Sequence, residues 1–142
     1  MVDKVRFTFT ELNREMGAFS TLPYLPLTLS YRNQSLRVSG LLDTGASVNV
    51  LPYQIGLRLG AVWERQMLNV PLGGNLAQSE ARALVVTAVV DRFTPVDLAF
   101  AWTMDRSAPL ILGHMNFFEE FDVCFYRSEL AFEISPRRMP KG

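Results

Sequence analysis

Along most of the chain apolar and polar residues alternate with a period of two, the pattern of half-buried β-strands. Val5, Phe7 and Phe9 predict a first strand, and Leu25, Leu27, Leu29 and Tyr31 a second. The polar turn Arg32-Asn33-Gln34-Ser35 then sends the chain back through Leu36, Val38 and Gly40, a hairpin that runs straight into Asp43. After Asn49, Pro52 suits the first position of a short helix over Tyr53 to Leu59, which Gly60 can close. The apolar stretch from Val62 to Val70 and the run from Ala81 to Val90 predict the two arms of a hairpin with Gly73 and Gly74 at its tip. Val96, Leu98, Phe100 and Trp102 alternate again, and Leu110-Ile111-Leu112 forms a short apolar strand stopped by Gly113. From His114 to Phe121 the spacing predicts a two-turn helix with Phe117, Phe118 and Phe121 inward and Glu119 and Glu120 outward. Asp122 to Tyr126 and Glu129 to Ile134 read as two last strands, and the basic, proline-punctuated stretch from Ser135 to Gly142 as a frayed end, with partner binding the lesser reading.

This is a mostly β protein with one or two short helices. The apolar residues before Asp43 and before Gly113 mark two internal strands, which side by side would hold the acidic loop rigidly. A length of 142 residues suggests one domain with its own core, and a charged fraction of 20% fits a folded protein. The formal net charge is zero, so no basic excess points to nucleic acid. No apolar run reaches the ~18 residues of a membrane span, and the N-terminus lacks a signal-peptide layout. A cytoplasmic location follows by default, although a soluble domain of a larger membrane protein would read the same.

Reactive residues are few. One cysteine, Cys124, and one histidine, His114, leave no disulfide within the chain and no Cys/His zinc site. Cys124 sits in an apolar alternation and is expected as a small buried strand residue. His114 has no serine elbow to serve, and Leu72-Gly73-Gly74-Asn75 is not followed by the lysine of a phosphate loop. Carboxylates remain. In SGLLDTGASVNVLP, Ser39 to Pro52, Asp43 ends a strand either to make a turn or to do chemistry, and Asp-Thr-Gly alone is weak evidence for the second.

The ordered set is more specific. LLDTGAS followed by VLP, then LGGN, then LILGHMNFFEEF resembles the retropepsins, the retroviral-type aspartic proteases and their bacterial relatives, over roughly Leu25 to Ile134. The resemblance implies a single-domain acid-protease β-barrel completed by homodimerisation, with a protease domain over residues 25–134. Residues 1–24 would form an N-terminal extension able to contribute an interface strand, and residues 135–142 a basic tail. It also resolves a shortage of acids. Peptide hydrolysis by carboxylates needs one ionised group to take a proton from water and one protonated group to polarise the substrate carbonyl; two held close share one proton. The chain has one Asp-Thr-Gly, and neither Asp97 nor Asp105 has that setting. In the family, each of two identical chains supplies one aspartate.

By resemblance, Asp43 of both subunits is catalytic; Thr44 hydrogen-bonds across to the other subunit; Gly45 admits the second carboxylate and substrate; and Ala46 keeps the floor small. Ser47, with Leu72, Gly73 and Gly74 as a flap, would meet an extended peptide, and Leu112, Gly113 and His114 would support the site. The bland alternative for the glycines is a surface turn. No metal or cofactor is implied; the partners are a second copy and a peptide or protein substrate, with apolar pockets and a pH optimum on the acid side of neutrality. Retroviral members often carry an acid at the place of Ser47 and an arginine at that of His114. A neutral hydrogen bond between the two, a weaker dimer, and a histidine simply packed at a helix start all remain open. The termini VRFTF and ELAFEI are expected to contribute to the dimer sheet. The competing reading is a catalytically weak dimerisation or peptide-binding module.

Overall fold

The computed structural model describes residues 3–11 and 21–138. Its centre is a closed six-stranded barrel in the order β4 (Tyr24–Tyr31), β5 (Gln34–Leu42), β9 (Ile111–Leu112), β6 (Asn49–Leu51), β8 (Val96–Thr103), β7 (Ala81–Val89). Closure comes from β4 pairing β7 across Thr28↔Val89 to Ser30↔Thr87. The long antiparallel hairpins β4–β5 and β7–β8 carry the predicted alternation: Leu25, Leu27 and Leu29 point into the core from β4, and Leu98, Phe100 and Trp102 from β8. Each such side chain contributes about 2 kcal/mol by leaving water.

The two internal strands anticipated before Asp43 and before Gly113 do run together. β5 and β9 are parallel neighbours, with Leu41 opposite Ile111 and Leu42 opposite Leu112. β9 also bridges β6 through Ile111↔Val50, so the strands leading into Asp43 and Gly113 and the strand leaving the acidic loop share one sheet.

A second sheet, ordered β1 (Val5–Thr8), β11 (Ala131–Pro136), β10 (Phe121–Tyr126), packs Phe132 and Ile134 onto the barrel. Phe7 stacks on Phe132 with ring centroids 5.3 Å apart. A two-residue pairing of β2 (Thr10–Glu11) with β3 (Thr21–Leu22) leads back into β4. The terminal segments thus pair with each other inside one chain. Ser135 and Pro136, expected in the frayed tail, belong to β11, where they face Asp122 and Phe121; Met139 to Gly142 lie outside the described residues.

Three expectations are corrected. Cys124 is exposed. It pairs with Glu133 on the outer face, while the positions of β10 that turn toward the core are Phe121 and, partly, Val123 opposite Ile134. The stretch from Val62 to Val70 is not a strand: Trp63 is drawn into the core, its ring 5.2 Å from that of Trp102, and Arg82 lies 4.6 Å over its other side. Seating that indole bends the chain into a 3-10 turn, Trp63–Arg65, and leaves only an Asn69↔Arg82 bridge to β7. The helix after Gly113 is the single turn α2 (Phe117–Glu120), because Phe121 is already extended as the first residue of β10. Phe117 and Phe121 are buried as expected, and Phe118 only partly so.

Helix α1 (Tyr53–Arg58) follows Pro52 and ends before Gly60, whose φ is +85°. Its Gly56 abuts the Trp102 indole, which donates to the Tyr53 carbonyl at 3.1 Å.

Candidate active site

Asp43 is the first residue beyond β5. Its amide still belongs to the sheet, donating to the Leu112 carbonyl at 3.0 Å, just as Leu41 donates to Leu110 at 2.9 Å. The carboxylate then folds back: Oδ1 accepts the Gly45 amide at 2.9 Å, and the Asp43 carbonyl accepts the Ala46 amide at 3.1 Å. These bonds fix both the turn and the direction of the acid. A Cβ at position 45 would stand 3.3 Å from Asp43 Oδ1, so the glycine keeps the carboxylate's flank open. Asp43 is half-buried and Thr44 exposed.

A second loop braces the first from behind. His114 N donates to Ala46 O at 3.0 Å, Met115 N to Ser47 O at 2.9 Å, and Asn49 N to Met115 O at 2.9 Å. Gly113 sits at the contact: a Cβ there would lie 2.4 Å from the Val48 carbonyl oxygen and 2.8 Å from that of Ala46, so no other residue fits without moving backbone. The His114 Nε2 lies 2.7 Å from the Thr44 carbonyl. A carbonyl only accepts, so Nε2 carries the proton. Of the readings left open for His114, a hydrogen bond to Ser47 is not the one formed within the chain: the imidazole meets the Thr44 carbonyl instead, and its ring leans on Phe118 at 5.2 Å. It is also exposed rather than packed inside.

Sequence reasoning missed the residue that ties the two loops to the barrel. Asn49 is fully buried. Its Oδ1 accepts the Gly113 amide at 2.8 Å, and its Nδ2 donates to the Ala99 carbonyl at 3.0 Å and to Asn116 Oδ1 at 3.1 Å. Asn116 in turn accepts the Ala99 amide at 2.9 Å and donates to the Asp97 carbonyl at 2.9 Å. Two polar residues at the edges of apolar runs therefore form one network joining the acidic loop, the glycine loop and β8. The one sequence signal was Asn49, an asparagine set between Val48 and Val50.

In front of Asp43 lies a cleft of about 600 Å³. Asp43, Gly45, Ser47 and Val48 form its base, Leu72, Gly73, Gly74 and Leu76 contribute one wall, and Asp105, Ser107 and Pro109 another. The sequence-predicted residues thus divide: Asp43, Gly45, Ala46, Ser47, Leu72, Gly73 and Gly74 line the cleft, while Thr44, Leu112, Gly113 and His114 do not. The glycine wall is not the expected hairpin tip but a 3-10 turn over Gly74–Leu76, with Gly74 at φ +59°. Strand pairing below it is confined to Val70 N on Ala81 O at 2.9 Å, Ala83 N on Leu68 O at 2.8 Å and the Asn69↔Arg82 bridge, since Trp63 holds the first arm out of register with a regular ladder. Val48 also lines a second recess of about 190 Å³ among Leu68, Val70, Ala83, Phe100 and Met115, which is almost wholly apolar. Among the described residues no group of His, Cys, Asp and Glu is arranged to hold a metal ion.

No protein-family model matches the sequence, and no curated protein matches it either. Among solved structures, a retropepsin-like aspartic protease from Rickettsia conorii is similar over 96% of this chain and 94% of its own, with a TM-score of 0.65 and 13% sequence identity. A closed barrel with an acidic loop and a glycine loop stitched back to back is the retropepsin-like aspartic protease fold, and this chain has that fold. No helix in the described residues is long and apolar enough to cross a membrane.

Proposed function

We propose that this protein is an aspartic endopeptidase, active as a homodimer in which Asp43 of each subunit supplies one carboxylate. The observation that carries the reading is the Asp43 carboxylate, braced by the Gly45 amide and lining a cleft of about 600 Å³. One carboxylate can act as base or acid but not as both at once, so a second copy is required to complete the chemistry. In the dimer the pair shares one proton: the ionised member takes a proton from water as that water attacks the scissile carbonyl, and the protonated member donates to the carbonyl oxygen. The resulting gem-diol collapses as a proton passes to the leaving nitrogen. Thr44, exposed beside the acid, is assigned to the contact between the two loops; the segment around Gly73 and Gly74 to covering the peptide; and the apolar recess beside Val48 to an aliphatic side chain.

The test is cleavage of a complex peptide library at mildly acidic and neutral pH, wild type beside Asp43→Asn. Cuts made by the wild type alone support the reading. An Asp43→Asn protein that cuts as well as wild type overturns it, and a folded dimer with no cuts from either protein returns the weight to a peptide-binding module.

A further inference from the structure

Asp105 lines the same cleft as Asp43 yet lies outside the acidic loop. Its carboxylate is engaged by neutral donors from two directions. Oδ1 accepts the Ser107 amide at 2.9 Å and the Ser107 hydroxyl at 2.7 Å, which shapes its own loop. Oδ2 accepts the Ser79 hydroxyl at 3.1 Å, and Ser79 belongs to the far end of the segment that carries Gly73 and Gly74. The bond therefore joins two walls of the cleft. Directly below it the walls merge into the barrel, where Thr103 Oγ1 and Met104 N both donate to the Glu80 carbonyl, at 3.1 and 3.0 Å. Beyond it, toward the tip, a Cβ at Gly73 or Gly74 would meet nothing within 4 Å. The segment is latched at its stem and faces open space at Gly73 and Gly74.

We propose that Asp105 is a positioning residue for peptide capture: through Ser79 it latches the stem of the glycine-bearing wall to the opposite loop and confines closure over a bound peptide to the part between Pro71 and Gln78. This rests on the peptidase reading above. A carboxylate suits the task because each oxygen serves a different wall, and hydrogen bonds to an ionised acceptor are stronger than neutral ones. An asparagine keeps one acceptor oxygen for Ser107 and can meet the Ser79 hydroxyl only by donating from Nδ2, a neutral bond in place of a charge-assisted one. Loosened in this way, or freed outright in Ser79→Ala, the wall samples open states, and fewer molecules are ready to hold a peptide; once closed, the carboxylates at the base are unaltered. The loss then falls on KM and not on kcat.

The experiment compares wild type, Ser79→Ala, Ser79→Thr, Asp105→Asn and the Ser79→Ala/Asp105→Asn double variant on one library-derived peptide. Ser79→Ala and Asp105→Asn should raise KM about fivefold to tenfold, the scale of one charge-assisted hydrogen bond, with kcat within about twofold. Ser79→Thr, which keeps the hydroxyl, should restore KM, and the double variant should be no worse than Ser79→Ala alone. Hydrogen exchange supplies a readout independent of cleavage: amides of residues 73–79 should exchange faster in both single variants, with β7 and β8 unaltered. Unchanged KM, an equal fall in kcat, or unchanged exchange in residues 73–79 overturns the proposal. Should the wild type cleave nothing, the peptidase reading fails by itself. Exchange, together with fluorescence anisotropy of a labelled extended apolar peptide, then decides the latch: faster exchange with weaker binding in the variants upholds it, and any other pairing overturns it.

Discussion

Asn49 Oδ1 accepts the Gly113 amide at 2.8 Å, 64 residues away along the chain, and this buried side-chain bond adds to the backbone bonds that join the loop bearing the acid to the loop bracing it. Removing the side chain leaves the buried Gly113 amide without its partner and takes a donor from the Ala99 carbonyl and from Asn116 Oδ1, which keeps the Ala99 amide. Asn49→Ala should therefore cost about 2 to 4 kcal/mol in urea denaturation, more than an exposed asparagine would. A loss below about 0.5 kcal/mol would show that the network is not structural.

Gly113→Ala tests the contact from the other side. Its methyl group would have to displace the Val48 carbonyl, and Val48, bridged to Met115, leads directly into Asn49 and β6. A destabilisation of at least about 2 kcal/mol is expected, with cleavage falling further than stability because the Asp43 loop shifts with its support. Circular dichroism melting beside an activity assay separates the two effects.

If two copies build one site, specific activity should rise with concentration at low protein and level off above the dissociation constant. Sedimentation velocity across the same range should place half-maximal activity where half of the chains are dimeric. Dilution-independent activity in a protein shown to be monomeric would refute the half-site mechanism.

Hydrogen bonds from Ser107 and Ser79 hold the Asp105 carboxyl below the usual carboxylate range, against a smaller opposing effect of burial. A carboxylate whose pKa is depressed by folding adds stability above its unfolded pKa and loses it as pH falls through the folded one. Wild type should therefore be more stable than Asp105→Asn near neutral pH, and the gap should close as pH falls below about 4. Urea midpoints measured from about pH 6 to about pH 3 check the sign; a gap that widens on acidification contradicts the assignment.

The parts of the fold readable in the sequence were those whose signal is local. Leu25, Leu27 and Leu29 announce their strand by alternation, and Asp43 announces its loop by the residues on either side. Where partners came from far along the chain, the same rules misled. Trp63 sat in a run that looked like strand, but its place is decided by Trp102 and Arg82. Cys124 shared an alternation whose phase is set by Phe132 and Ile134 on the neighbouring strand. Asn49 and Asn116 drew no reading from the sequence, because an asparagine's partners leave no trace in its immediate neighbours.

The parallel pairing of β5 with β9 also has a temporal meaning. Asp43 leaves the ribosome long before Leu112, whose carbonyl holds its amide, and before His114, whose ring reaches the Thr44 carbonyl across 70 residues. Contacts of such separation form late, after the chain has given up the entropy of closing the intervening loop. A nascent chain thus carries its acid on an unbraced loop until Leu112 and His114 have been made, and acquires an ordered site only then.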